Sequence, residues 1–238
     1  MNGTTPRLVV ALDVPDFERA RALVDQLGGL GVMFKVGLEP LFSYGERILA
    51  LLAERGADCF VDAKLHDIPR TVAAATRSLV APGVRIINVH ALGGAEMMSA
   101  AVEAAEERAA ELGIPVPDIF AVTILTSIAP EELRELGLVG GPGENVIRLA
   151  ALARDARCAG VVCSAHEVHD LKEFFGAEFA AIVPGIRPSG TPVGDQKRAA
   201  SPREAIIAGA DYIVVGRPIT DAADPVAVAQ SVIAEIER

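Results

Sequence analysis

The chain has 238 residues, 51% of them hydrophobic and 23% charged, with a formal net charge of −10. Such an acidic chain is a poor partner for nucleic acid or a membrane surface, and an anionic small molecule would need a local cluster of Lys and Arg. No apolar run approaches the ~20 residues of a membrane span, and Met1 to Arg7 lack the apolar stretch of a signal peptide. Cys59, Cys158 and Cys163 are too few and too irregular for a disulfide framework or a zinc site, so buried free thiols and a reducing cytoplasm are expected. Aromatics are only 4%, with no Trp, so Ala, Val, Leu and Ile must fill the core.

In chain order, Leu8 to Val14 reads as a strand with Asp13 near its carboxyl end. Asp16 caps a helix that stops at Gly28-Gly29. The second strand is Val32 to Leu38, with Lys35 in its middle, and a helix from Pro40 to Glu54 follows. The third strand, Cys59 to Leu65, carries Asp62 and Lys64; alternation places these two on one face. Pro69 fits the first turn of the next helix. Arg85 to Ala91 is the fourth strand, followed by a helix from Ala95 to Leu112. Asp118 to Leu125 is the fifth, with two helical pieces after it, Pro130 to Leu136 and Glu144 to Ala156. Gly160 to Ala165 and Ala180 to Ile186 are the sixth and seventh strands, separated by a short helix. A polar loop, Arg187 to Arg198, leads to a helix from Pro202 to Ala208; Tyr212 to Ile219 is the eighth strand, and the last helix starts at Asp224-Pro225.

These are eight strand–helix units spaced by about 25 to 35 residues, with strands that read as near-continuous apolar runs. The pattern predicts an α/β fold, one (β/α)₈ barrel spanning residues 1–238, rather than a doubly wound sheet. In such a barrel the active site lies at the carboxyl ends of the strands. Asp13, Lys35, Asp62 and Lys64 collect there on three neighbouring strands, and Asp67 follows on the exit loop. Charges in a barrel mouth cost several kcal/mol each to desolvate, so a packing role does not account for them and chemistry does. Gly185-Ile186-Arg187 and Gly216-Arg217-Pro218 follow strands seven and eight, where barrels commonly hold a phosphate. His66 and His90 read as hydrogen-bonded structural residues, and His166 and His169 as surface ones. No His and carboxylate set has metal-ligand spacing, and no Ser or Cys has the setting of a nucleophile.

These residues resemble one known family, orotidine 5′-phosphate decarboxylase in its bacterial branch. The resemblance runs from Ala11-Leu12-Asp13 to Gly216-Arg217. It rests on Phe34-Lys35-Val36-Gly37, on the highly specific Asp62-Ala63-Lys64-Leu65-His66-Asp67-Ile68-Pro69, and on Pro184-Gly185-Ile186-Arg187, Asp195-Gln196 and Val215-Gly216-Arg217-Pro218. It implies cofactor-free and metal-free conversion of orotidine 5′-monophosphate to UMP in a homodimer with shared sites. Lys35, Asp62, Lys64 and Asp67 would form an alternating charge network, Asp67 reaching into the partner's site, with Lys64 the proton donor to C6. Asp13 and Lys35 would hold the ribose hydroxyls, and Ile68 and Thr71 of the partner would line the site. Thr126 would contact the nucleotide, and Arg187, Gln196, Gly216 and Arg217 the phosphate side. Ile128 stands where some members have a Ser.

Two other readings predict different behaviour. Sugar-phosphate enzymes of the same superfamily, keto-gulonate-phosphate decarboxylases and hexulose-phosphate synthases, resemble the chain in Asp-x-Lys-x-x-Asp, but use Mg²⁺ and carry an acidic residue where Lys35 stands. A barrel that only binds nucleotide would take up UMP and release no CO₂.

Overall fold

The computed structural model describes residues 7–188 and 200–237. Eight strands run in the order β1 (Leu8–Ala11), β2 (Met33–Val36), β3 (Cys59–Leu65), β4 (Val84–His90), β5 (Asp118–Val122), β6 (Gly160–Val162), β7 (Ala180–Val183) and β8 (Tyr212–Val215). All pair in parallel with their sequence neighbours, and β8 closes on β1, giving the expected barrel. The connecting helices are α1 (Phe17–Leu27), α2 (Leu38–Tyr44), α3 (Glu46–Glu54), α4 (Pro69–Leu79), α5 (Ala95–Leu112), α6 (Pro130–Glu135), α7 (Pro142–Asp155), α8 (Ala165–Phe175), α9 (Pro202–Ile207), α10 (Arg217–Thr220) and α11 (Pro225–Ile236). No helix among the described residues is long and apolar enough to cross a membrane.

Strand alternation sorts the core into two parts. Leu8 and Val10 of β1 face the helices, as do Phe34 of β2 and Val61 of β3. Val9, Ala11, Met33, Phe60, Ile86, Phe120 and Val214 instead fill the barrel interior. This apolar plug sets the floor of the site. Two residues beyond Met33, Phe60 and Ile86, at the next inward positions of β2, β3 and β4, stand Lys35, Asp62 and Asn88, all buried.

Several strands stop earlier than the apolar runs suggest. β1 ends at Ala11, because the Val14 N–H turns back to the Leu12 carbonyl instead of extending the ladder. β8 ends at Val215; Gly216 leaves the extended region, Pro218 has no N–H to offer a ladder, and Arg217 opens α10 instead of continuing a strand. The helix expected from Pro40 to Glu54 is two helices, broken where Gly45 adopts φ 56°. Cys59, Cys158 and Cys163 are free and buried, and burial pushes the Cys158 thiol up to about 12.

Candidate active site

The charged set forms at the ends of β2 and β3. Pairing of β3 with β4 runs Val61 with Ile87 and then Leu65 with Val89, so four steps on one strand match two on the other. The surplus residues bulge, and Lys64 takes a left-handed backbone, φ 48°. For a residue with a side chain that conformation costs on the order of 1–3 kcal/mol and clusters at functional sites. Simple alternation therefore brings Asp62 and Lys64 together for an incomplete reason. They do meet, Lys64 Nζ donating to Asp62 Oδ1 at 2.6 Å, but through a bulge and a strained residue.

Asp62 is the hub. Its Oδ1 accepts from Lys64 Nζ and, at 2.7 Å, from Asn88 Nδ2. Its Oδ2 lies 3.1 Å from Lys35 Nζ. Burial alone would raise the Asp62 carboxyl. Lys35, then Lys64, and the hydrogen bonds from Lys64 and Asn88 overcome this and hold it below the usual carboxylate range. Lys35 is the mirror case: burial works against its charge, but Asp62 and Asp13 outweigh it and raise the ammonium. Lys35 Nζ reaches Asp13 Oδ2 at 3.2 Å, so its ammonium bridges two carboxylates. The Asp62 side chain is 12% exposed and that of Lys64 33%, which leaves the Lys64 ammonium held yet open to the barrel mouth.

Gly37 makes room for this geometry. Its backbone would suit any residue, but a Cβ would stand 2.5 Å from Asp13 Oδ1 and 2.8 Å from Lys35 Nζ. The Lys-Val-Gly spacing thus belongs to the ion pair as well as to the turn into α2.

Asp67 stands apart. It is exposed, its Oδ1 accepts from the Ile68 N–H at 2.7 Å, and it makes no ion pair among the described residues. Ile68 is 62% exposed and Thr71 also faces outward. Asp67, Ile68, Leu92 and Gly93 line one shallow surface depression together with His66 and Pro69. His66 stacks on His90, ring centroids 5.3 Å apart. Burial, then His66 and Lys64, push the His90 imidazole down to about 4, and its Nδ1 is buried with no hydrogen-bond partner among the described residues. His166 and His169 are exposed, as expected.

The residues expected to bind phosphate are less enclosed. Arg187 follows β7; its backbone N–H donates to the Ala200 carbonyl at 2.9 Å, and its Nη1 to the Ile186 carbonyl at 3.1 Å. Gly216 follows the neighbouring β8, packed so that a Cβ would touch Ala11 at 3.4 Å, and Arg217 is exposed at the start of α10. Thr126 is half-buried just beyond β5. Gln196, and residues 189–198 of the polar Arg187–Arg198 loop, lie outside the described residues.

Asn88 was not foreseen as a site residue. It is fully buried, donates to Asp62 and accepts the Lys64 backbone N–H at 2.7 Å. The clue was a lone amide inside Arg85-Ile86-Ile87-Asn88-Val89, at an inward position two beyond Ile86.

The family model for orotidine 5′-phosphate decarboxylase / HUMPS matches residues 6–232. The chain belongs to that family. An orotidine 5′-phosphate decarboxylase from Moorella thermoacetica is 49% identical, over 97% of this chain and 92% of the relative. One from Saccharophagus degradans is 46% identical, over 100% of this chain and 98% of its own. The crystal structure of orotidine 5′-phosphate decarboxylase from Lactobacillus acidophilus superposes with a TM-score of 0.85 at 36% identity, covering 99% of this chain and 100% of that one. The family match thus spans nearly the whole barrel, from before β1 into α11.

Proposed function

We propose that this protein decarboxylates orotidine 5′-monophosphate to UMP and CO₂, the last step of UMP synthesis, in the cytoplasm. The observation that carries this reading is Lys35. Its ammonium stands between Asp13 and Asp62, at 3.2 and 3.1 Å. That is where the magnesium-dependent sugar-phosphate enzymes would have an acidic residue, and a fixed ammonium there repels a divalent cation. The relatives at 46–49% identity, all named orotidine 5′-phosphate decarboxylase, support the same reading.

The chemistry follows from the charges. When the bond from C6 to its carboxylate breaks, CO₂ leaves and the electron pair stays on C6, in a ring that delocalises it poorly. The Lys64 ammonium, fixed by Asp62, stabilises that pair as it develops and then donates its proton to C6; solvent returns a proton to the amine. Asp62 disfavours the substrate carboxylate before cleavage and keeps the Lys64 ammonium directed by its hydrogen bond. Asp13 and Lys35 hold the ribose hydroxyls. Arg187, Gln196, Gly216 and Arg217 take the phosphate, whose binding far from C6 contributes to the barrier reduction. Thr126 contacts the nucleotide.

The site is completed by a second copy of the chain. Asp67 lacks a cation partner among the described residues, and Ile68 and Thr71 are exposed beside it. In a twofold dimer these three enter the partner's site, and Asp67 meets Lys64 of the other subunit. The net charge of −10 argues against nucleic acid or an anionic membrane surface as a partner.

The test is the loss of orotidine 5′-monophosphate absorbance by purified protein in excess EDTA, with UMP identified as product. The expected result is turnover unaffected by the chelator. Turnover abolished by EDTA and restored by Mg²⁺ would contradict it, and tight UMP binding without CO₂ release would reduce the protein to a nucleotide-binding barrel.

A further inference from the structure

Asn88 belongs to no part of the reaction as described, yet it is fully buried at the centre of the charge set. Its side chain uses both ends of the amide. Nδ2 donates to Asp62 Oδ1, and Oδ1 accepts the backbone N–H of Lys64, each at 2.7 Å. The second bond falls on the one residue of β3 with a left-handed backbone, inside the bulge where β3 leaves the β4 ladder. An N–H that the bulge withdraws from the sheet is satisfied there by a side chain instead. The two bonds thus tie together the carboxylate that directs Lys64 and the backbone from which Lys64 projects.

We infer that Asn88 is a positioning residue for decarboxylation: β4 holds the bulged end of β3 so that the Lys64 ammonium and the Asp62 carboxylate keep one mutual geometry. This rests on the decarboxylase reading. The requirement is for an amide, because the side chain must donate on one side and accept on the other. Apolar side chains of similar size leave both partners unsatisfied, and a carboxylate supplies the acceptor but sets a second negative charge against Asp62.

Asn88→Asp makes the inference sharp. The charged groups facing that position are Asp62 and Lys64 from β3, with Lys35 from β2 on the far oxygen of Asp62. On the β5 side the register partner of Asn88 is the apolar Phe120. Further along, His90 of β4 stacks on His66. Two carboxylates 2.7 Å apart cannot both ionise freely, so the new pair takes up one proton as pH falls. Protonated, the new residue donates to Asp62 as the amide did.

The experiment measures kcat and KM for wild type, Asn88→Ala and Asn88→Asp between pH 5.5 and 8.5, per folded protein by circular dichroism. In parallel, NMR follows the Asp62 carboxyl without substrate. Asn88→Ala should lose on the order of 10²-fold in kcat at every pH, as for a misplaced reacting group, with KM little changed. Asn88→Asp should lose a similar factor at high pH and recover roughly tenfold relative to wild type at low pH, as its carboxyl pair takes up the proton. The Asp62 carboxyl should titrate higher in both variants. The wild-type rate tests the decarboxylase reading by itself, and the NMR titration tests the role of Asn88 whatever that rate. Both variants within threefold of wild type (roughly,), or an Asp62 titration that does not move, would overturn the inference. So would loss of the fold in both, which would make Asn88 a stability residue.

Discussion

The two sides of the barrel mouth are built differently. On the β2–β4 side, Lys35 and Asp62 are buried, Lys64 is strained, Asp13, Lys35, Asp62 and Lys64 are paired at 2.6–3.2 Å, and Asp67 makes no ion pair among the described residues. On the β7–β8 side, Arg187 is half-buried and Arg217 exposed. The contrast matches the two tasks proposed for them. A charge that must stabilise a developing carbanion works best when it needs no reorganisation, which calls for fixed partners. A group that captures a phosphate must first be reachable from water, and gains its strength when the ligand excludes that water. Damage to the first side should therefore appear in kcat and damage to the second in KM.

Asp62→Ala should lose roughly 10³-fold in kcat. It should also cost on the order of 3 kcal/mol of stability, because it leaves the buried Lys35 ammonium with one exposed partner. Steady-state kinetics and urea unfolding check both numbers. Arg217→Ala should lower kcat/KM by about 10 to 100-fold, the worth of a charge-assisted hydrogen bond, chiefly through KM. An equal loss in kcat alone would erase the proposed division of labour. Gly37→Ala should lower kcat/KM by roughly tenfold without unfolding the protein, because its methyl group would push Asp13 and Lys35 apart.

The smallest effect concerns pH. Folding lowers the His90 imidazole from 6.5 to about 4, by burial first and then by His66 and Lys64. The unfolded chain thus takes up the proton at higher pH than the folded one. The contribution of neutral His90 to stability is complete above pH 6.5 and is lost as pH falls toward 4. The urea midpoint of wild type should drop over that window, and His90→Phe should flatten the drop. An equal slope in the variant would remove His90 from the account.

Much of this was legible in the chain. The barrel followed from eight apolar strand runs, and Lys35, Asp62 and Lys64 stood out because a charge inside such a run needs a reason. What was not legible depended on backbone geometry that pattern alone does not carry. The bulge that twists Lys64 to φ 48° is set by pairing with β4, a strand distant in sequence. The helix break at Gly45 and the helix opened by Arg217 are local choices of a glycine and a proline within segments whose apolar pattern ran straight through. Asn88 was hidden differently. A neutral amide in a strand draws less notice than a charge, although the alternation that singled out Asp62 also applies to it.

In the proposed mechanism Lys64 performs the chemistry in a site that Asp67 of a second chain completes. Mixing inactive Lys64→Ala and Asp67→Ala proteins tests it most directly, with orotidine 5′-monophosphate as substrate and mixed dimers verified by mass. Each variant alone should be nearly inactive. The mixture should regain activity approaching about a quarter of the wild-type sites, since half of randomly assorted dimers carry one site with both residues intact. Lys64→Ala turnover within about tenfold of wild type would contradict the role of Lys64, and mixed dimers that stay inactive would contradict that of Asp67.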